Sequence, residues 1–85
     1  MKTQIEIIMD VVKEEYDSAT RKFGPFNSSH EGYAVIKEEV DELWDAIKGN
    51  TSNGAQRAEA IQIAAMALRF IFDICTKQTE GGEYE

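Results

Sequence analysis

Three glutamates are the residues of this chain whose type and spacing best suit metal chemistry. Glu39 and Glu42 lie three residues apart in the run KEEVDELWD, residues 37–45, which holds five carboxylates. Side chains three apart on a helix are neighbours, and hard divalent cations prefer carboxylate oxygens as ligands. Glu59 lies in the next predicted helix and meets this pair if the two helices pack together. The spacing predicts a cation site, and the alternative is an acidic face in contact with solvent.

The helical periodicity of the run divides its acids into two groups. At about 100° per residue, one face of the predicted helix is apolar and is its expected core side. The members of that face are Tyr33, Ile36, Val40, Leu43, Trp44 and Ile47. Glu38, Asp41 and Asp45 point away from it, toward solvent. Glu39 and Glu42 lie at its border, where a neighbouring helix can contact them, so they are the better candidates for a shared ligand.

Three helices are predicted to position these residues, and no strand pattern accompanies them. Apolar residues recur at helical spacing over about residues 3–23, 28–48 and 55–77. Gly24-Pro25 ends the first segment, an S-x-x-E capping box opens the second at Ser28, and Gly49 ends it. We therefore expect an all-α chain with one domain over residues 1–79 and a disordered tail over residues 80–85.

The third segment is apolar around most of its circumference, apart from one polar stripe. Glu59, Gln62, Arg69 and Asp73 share this stripe within about 80° of the helical wheel. A helix that is apolar nearly all round must be covered on more than one side, which predicts self-association; the alternative is a three-helix monomer. The stripe is predicted to line a polar cleft, and the alternative is that it faces solvent.

Charge and hydropathy argue against several classes of function. The net charge is −7, and a nucleic-acid partner is not expected because phosphate contacts need a basic surface. The longest apolar stretch, residues 58–75, is interrupted by the polar stripe, so no membrane span is predicted. The single cysteine, Cys75, cannot form an internal disulfide and is expected to be buried, which suits the reducing cytoplasm.

The motif Glu38-Glu39-x-x-Glu42, followed after a loop by Glu59 on an apolar helix, resembles the all-α nucleoside triphosphate pyrophosphatases. It is most similar to the short MazG-like proteins of phage and bacterial type, over roughly residues 25–75. The resemblance implies a helical-bundle dimer or tetramer that uses magnesium, with manganese as the alternative. It implies hydrolysis of a nucleoside triphosphate to the monophosphate and pyrophosphate. It also implies that Glu39, Glu42 and Glu59 are metal ligands, and that Glu38 is a ligand or orients the attacking water.

The family's second motif, on the downstream helix, is E-x-x-D. The chain departs from it, because Glu59 matches the Glu but Gln62 stands where the family has Asp. An amide oxygen can coordinate magnesium, but it brings no charge and cannot act as a base. The alternative function is therefore a non-catalytic helical module that binds metal, nucleotide or another protein and has lost turnover. Arg69 and Lys37 are candidate contacts for the substrate phosphates. The alternatives are an ion pair between Arg69 and Asp73 and a solvent-exposed Lys37.

Overall fold

A computed structural model describes residues 1–76, which form three α-helices and a short π-helix. Helix α1 spans Gln4–Phe23, α2 spans Ser29–Lys48, α3 spans Asn53–Phe70 and the π-helix spans Ile71–Thr76. Residues 1–76 contain no strand, which confirms the all-α class. None of their helices is long and apolar enough to cross a membrane. The predicted tail and the predicted end of the third helix at Lys77 lie outside the described residues.

Each α-helix begins at a hydroxyl side chain. Thr3, Ser28 and Ser52 have extended backbones and accept a hydrogen bond from the backbone N–H three residues later, at 3.1 Å in every case. An N-cap of this kind contributes about 1 kcal/mol. Because Ser52 caps α3, the helix begins at Asn53 rather than at the predicted Ala55.

Helix α3 is central, because both α1 and α2 pack against it. The buried apolar core is small and draws on α1, the loop after it, and α3. Its cluster of buried residues is Ala19, Phe26, Ala65 and Met66. This packing covers α3 on two sides, and it leaves Leu68, Ile71 and Phe72 exposed at 41%, 51% and 53% on the outer side of α3 and the π-helix. Cys75, predicted to be buried, is half-buried.

Helix α2 presents a different side to α3 than its apolar pattern predicts. Its least exposed positions are Gly32, Val35, Ile36, Glu39, Leu43 and Ala46. Tyr33 and Trp44, predicted to pack in the core, are 61% and 55% exposed, so that prediction is wrong for the single chain. The close approach of the two helices at Gly32 accounts for the difference. A Cβ atom on Gly32 would lie 2.5 Å from Cδ2 of Phe70, whose ring fills the space beside the glycine.

Candidate metal centre and adjoining cavity

Glu39, Glu42 and Glu59 form a cluster of three carboxylates where α2 packs on α3. One carboxylate oxygen from each residue lies within 4.8 Å of the others. Glu39 and Glu59 are half-buried, and Glu42 is exposed. The expectation that Glu59 meets the border pair of α2 is therefore confirmed. Oxygens at this separation can bind one cation together, because magnesium and calcium take oxygen ligands at about 2.0–2.6 Å.

Within this acid cluster, Glu39 has a buried carboxylate oxygen, Oε1, that lacks a hydrogen-bond donor among the described residues. Burial raises the pKa of Glu39 above its ordinary value, and the charges of Glu42, Glu59 and Glu38 raise it further. A buried carboxylate oxygen without a donor is costly. A cation bound to that oxygen would offset both the desolvation and the repulsion between the acids.

The donor atoms of the cluster suit a hard cation. Three carboxylates and no thiol or imidazole favour magnesium or manganese over zinc. Gln62 is half-buried and Glu38 is exposed, and both line a cavity that Glu39 also lines. Glu38 is not among the acids whose carboxylate oxygens come together in the cluster, so the structure places Glu38 and Gln62 on the cavity wall rather than in the cluster itself.

This cavity has a volume of about 400 Å³ and is walled by all three α-helices and by the loop between α1 and α2. The volume lies in the range of small-molecule binding sites. Its lining residues are Glu15, Ser18, Ala19, Lys22, Phe23, Pro25, Phe26, Glu31, Val35, Glu38, Glu39, Gln62, Met66 and Arg69. Since Glu39 belongs to both the cluster and the cavity wall, a ligand in the cavity would lie next to a cation in the cluster.

The polar stripe of α3 and the π-helix faces inward. Arg69 and Asp73 are buried, at 4% and 9% exposed, and Glu59 and Gln62 are half-buried. The prediction that the stripe lines a polar cleft is therefore confirmed for Gln62 and Arg69, which line the cavity, whereas Glu59 belongs to the acid cluster and not to the cavity wall. The alternative, a solvent-facing stripe, is wrong.

Arg69 and Asp73 bind the loop after α1 rather than each other. The Nη2 group of Arg69 donates a hydrogen bond to the carbonyl oxygen of Gly24, and its Nη1 group donates to the sulfur of Met66 at 3.4 Å. The guanidinium carbon lies 4.3 Å from the centroid of the Phe26 ring. Asp73 accepts a hydrogen bond from the backbone N–H of Phe26 at 2.9 Å. The two side chains fasten the loop to the C-terminal end of α3, and the expected Arg69–Asp73 ion pair is not formed.

Lys37 is exposed and lies outside the cavity. This exposure is what the alternative interpretation of Lys37 expected, and its Nζ atom also forms an ion pair with Asp41 at 3.0 Å. The cavity wall contains a different lysine, Lys22, which the sequence prediction missed. Lys22 lies three residues after the buried Ala19, so the two residues share one face of α1. This spacing is the signal in the sequence that could have identified Lys22 as a cavity residue.

The loop between α1 and α2 is stabilised at both ends. Besides its contacts with Arg69 and Asp73, it is held by Glu31, whose carboxylate accepts a hydrogen bond from the backbone N–H of Asn27 at 2.6 Å. The predicted capping box is therefore present in modified form, because Glu31 binds the amide before Ser28 rather than that of Ser28 itself. A loop fixed in this way gives the cavity a defined wall at Pro25 and Phe26.

No protein-family model matches the chain. Searches of curated proteins and of solved structures also gave no match. The resemblance to the MazG-like proteins therefore depends on the motif residues and on their arrangement.

Proposed function

We propose that this chain is a magnesium-dependent nucleoside triphosphate pyrophosphohydrolase, as its resemblance to the MazG-like proteins implies. The observation that supports this most is the carboxylate cluster of Glu39, Glu42 and Glu59 beside a cavity of ligand size. The unpaired Oε1 atom of Glu39 adds a reason for a cation at that position. Because the net charge is −7, an anionic substrate needs a cation between its phosphates and the acids of the protein.

In the proposed reaction, a water oxygen forms a bond to the α-phosphorus as the bond from that phosphorus to the α–β bridging oxygen breaks. The products are a nucleoside monophosphate and pyrophosphate. A bound magnesium ion would supply charge screening on the phosphates and a lower pKa for a bound water. Glu39, Glu42 and Glu59 would hold the ion, with Gln62 contributing its amide oxygen. Glu38, exposed on the cavity wall, would orient the water and accept its proton.

Gln62 supports a second candidate function. An amide at this position removes one negative charge from the expected ligand set and cannot take up a proton. A chain with three carboxylates can retain a cation and a nucleotide while its turnover is lost. The second candidate is therefore a non-catalytic module that binds nucleotide or a protein partner.

We also propose that the chain acts as a homodimer or homotetramer. Among residues 1–76, thirteen large hydrophobic residues are exposed, whereas five apolar residues are buried. The exposed set includes Tyr33, Val40, Trp44 and Ile47 of α2, and Leu68 at the outer side of α3. Apolar surface of this extent is typical of an interaction site. A cytoplasmic location belongs to the same proposal and would keep the free thiol of Cys75 reduced.

The enzymatic proposal is tested by pyrophosphate release from a panel of canonical and modified nucleoside triphosphates with magnesium. We expect Glu39→Ala and Glu42→Ala each to lower kcat/KM by more than about a hundredfold, because loss of even an outer partner of a metal ligand costs about 10–100-fold. Asp45→Ala is the matched control, since Asp45 is an exposed acid of the same helix. Failure of the unmodified chain to turn over any nucleotide would contradict the proposal.

Two further measurements separate the two candidate functions. Millimolar magnesium should raise the Tm of the unmodified chain by binding the folded state, and an unchanged Tm would argue against any cation site. Gln62→Asp restores the expected fourth carboxylate. If the unmodified chain binds magnesium without turnover and Gln62→Asp hydrolyses nucleotide, the chain is a binding module derived from a catalyst.

A further inference from the structure

Arg69 is a buried cation without an acidic partner. It is 4% exposed, and among residues 1–76 no carboxylate oxygen lies within 4.0 Å of its guanidinium nitrogens. Its Nε atom is buried without an acceptor, and Nη1 donates only to the thioether of Met66, which is a weak acceptor. A buried charge is stable when its donors have good acceptors. A ligand oxygen would therefore be a better acceptor for this guanidinium than the thioether of Met66.

Arg69 lines the end of the cavity that is remote from the acid cluster. Ten residues of helix separate it from Glu59, a distance of about 15 Å, and seven residues separate it from Gln62, about 10 Å. Phe26 and Met66, the two side chains in contact with its guanidinium, line the same cavity. If a cation in the cluster holds the phosphates, the part of the ligand that reaches Arg69 is the nucleoside.

We infer that the Arg69 end of the cavity binds the nucleobase and selects a base that presents a ring carbonyl to the guanidinium. This rests on the proposed function, which sets the direction of the ligand along the cavity. The carbonyl oxygen replaces the Met66 sulfur as the acceptor for the guanidinium, and Phe26 provides an apolar wall. Arginine carries five N–H donors and no acceptor. An exocyclic amino group in place of the carbonyl would therefore place its N–H donors next to the N–H donors of the guanidinium, and neither group would have an acceptor.

Hypoxanthine and adenine are the matched pair that tests this selection, because the first has an oxo group where the second has an amino group. Inosine and adenosine carry neither phosphate nor metal, so they test the nucleobase site alone. We would titrate each nucleoside into the ¹⁵N-labelled full chain with EDTA present and follow the backbone and arginine Nε–H resonances. We expect inosine to bind at least about tenfold more tightly, corresponding to 1.4 kcal/mol, and to shift the Arg69 Nε–H signal. Equal binding, or tighter binding of adenosine, would overturn the inference.

A variant series tests whether Arg69 itself makes the selection. Arg69→Lys keeps the positive charge and removes the planar fork of donors, so the preference for inosine should fall below about threefold. Arg57→Lys, at an exposed arginine of the same helix, should keep the full preference. An unchanged preference in a folded Arg69→Lys chain would overturn the assignment to Arg69. If that variant does not fold, the comparison of the two nucleosides on the unmodified chain decides.

The outcomes distinguish this inference from the proposed function. A preference for inosine in a chain that releases no pyrophosphate would support the nucleobase site and contradict the hydrolase. Pyrophosphate release at equal kcat/KM from inosine and adenosine triphosphates would support the hydrolase and overturn the nucleobase selection.

Discussion

Glu39 has an environment that disfavours its charge. It is half-buried between α2 and α3, and an oxygen of its carboxylate has no donor among the described residues. Three other glutamates raise its pKa in addition to the effect of burial. An acid on a solvated helix face would have none of these features, so the position of Glu39 is better explained by a ligand than by solubility.

Replacing Glu39 with glutamine should stabilise the metal-free chain at neutral pH. Folding raises the pKa of Glu39, so the folded state binds more protons than the unfolded state between about pH 4.3 and that raised value. The free energy of unfolding of the unmodified chain therefore falls as pH rises through this window and stays lower above it. Glu39→Gln does not lose free energy of unfolding in this way. At pH 7 it should be more stable than the unmodified chain by at least about a few tenths of a kcal/mol, the size of the repulsion in one like-charge pair.

Urea unfolding in EDTA between pH 4 and pH 8 measures this difference. Glu14→Gln removes the same charge from an exposed position of α1 and controls for the change in net charge. The Glu39→Gln curve should separate from that of the unmodified chain as pH rises, and magnesium should not stabilise this variant. A Glu39→Gln chain that is less stable than the unmodified chain at pH 7 would contradict the electrostatic account of the site.

The positions of the helices along the chain were predictable from sequence, and their orientation toward one another was not. Apolar periodicity, the Ser28 capping box and the glycines Gly24 and Gly49 are local signals. They place the starts of the three α-helices and the ends of α1 and α2 within two residues of the structure. The apolar arc of α2 is wider than one neighbouring helix can cover. The side that meets α3 is rotated by roughly 80° on the wheel from the predicted side, because Gly32, which has no side chain, allows the ring of Phe70 to pack against α2 on that side.

The orientation of α2 decides which parts of the site were predictable. Glu39 and Glu42 were found because they lie near the actual α2–α3 contact, and Glu59 because its spacing placed it on the inward stripe. At the remote end of the cavity, the helical wheel placed Arg69 on the polar stripe, but it did not predict the loop that Arg69 and Asp73 bind. Arg69 bonds there to a carbonyl 45 residues earlier in the chain, and Asp73 to an amide 47 residues earlier. Such loop contacts leave no periodic signal in the sequence.

Gly32→Ala tests the close approach of α2 and α3. In an ordinary helix interior, alanine is favoured over glycine by about 0.5–1 kcal/mol. At Gly32 the new Cβ would lie 2.5 Å from Cδ2 of Phe70 and 3.2 Å from Cδ2 of Phe26, so we expect a loss of about 1–3 kcal/mol from overpacking. Because Phe26 lines the cavity, nucleotide binding should weaken as well.

Gly54→Ala is the matched control for this prediction. A Cβ there would meet only the Ser52 hydroxyl at 3.7 Å, an ordinary contact, so Gly54→Ala should be neutral or stabilising by up to about 1 kcal/mol. Urea unfolding of the two variants measures both effects. Equal stability changes at the two glycines would show that α2 and α3 do not pack as closely as described.

The single chain buries little apolar surface over residues 1–76. Ala65 is fully buried, but Leu68, three residues later, is exposed, and so are Ile71 and Phe72 in the π-helix. A domain of this length buries only about 60–65% of the surface that its unfolded chain exposes, and its stability as a monomer is modest. A third segment that is apolar nearly all round already indicated that a single chain cannot bury all of its apolar surface. The sequence did not indicate which side of that helix a second copy would cover.

Self-association should therefore make stability depend on protein concentration. The Tm of the unmodified chain should rise with concentration, because association stabilises the folded state by mass action, and light scattering should give the mass of a dimer or tetramer.

Trp44→Glu tests the exposed apolar stripe of α2, and Phe72→Glu tests the outer side of α3 and the π-helix. Whichever substitution disrupts the contact should shift the mass toward the monomer and remove the concentration dependence of Tm. Thr20→Glu, at an exposed polar position of α1, adds the same charge and should leave both unchanged. A monomeric mass and a constant Tm for the unmodified chain over a hundredfold range of concentration would contradict the proposed assembly.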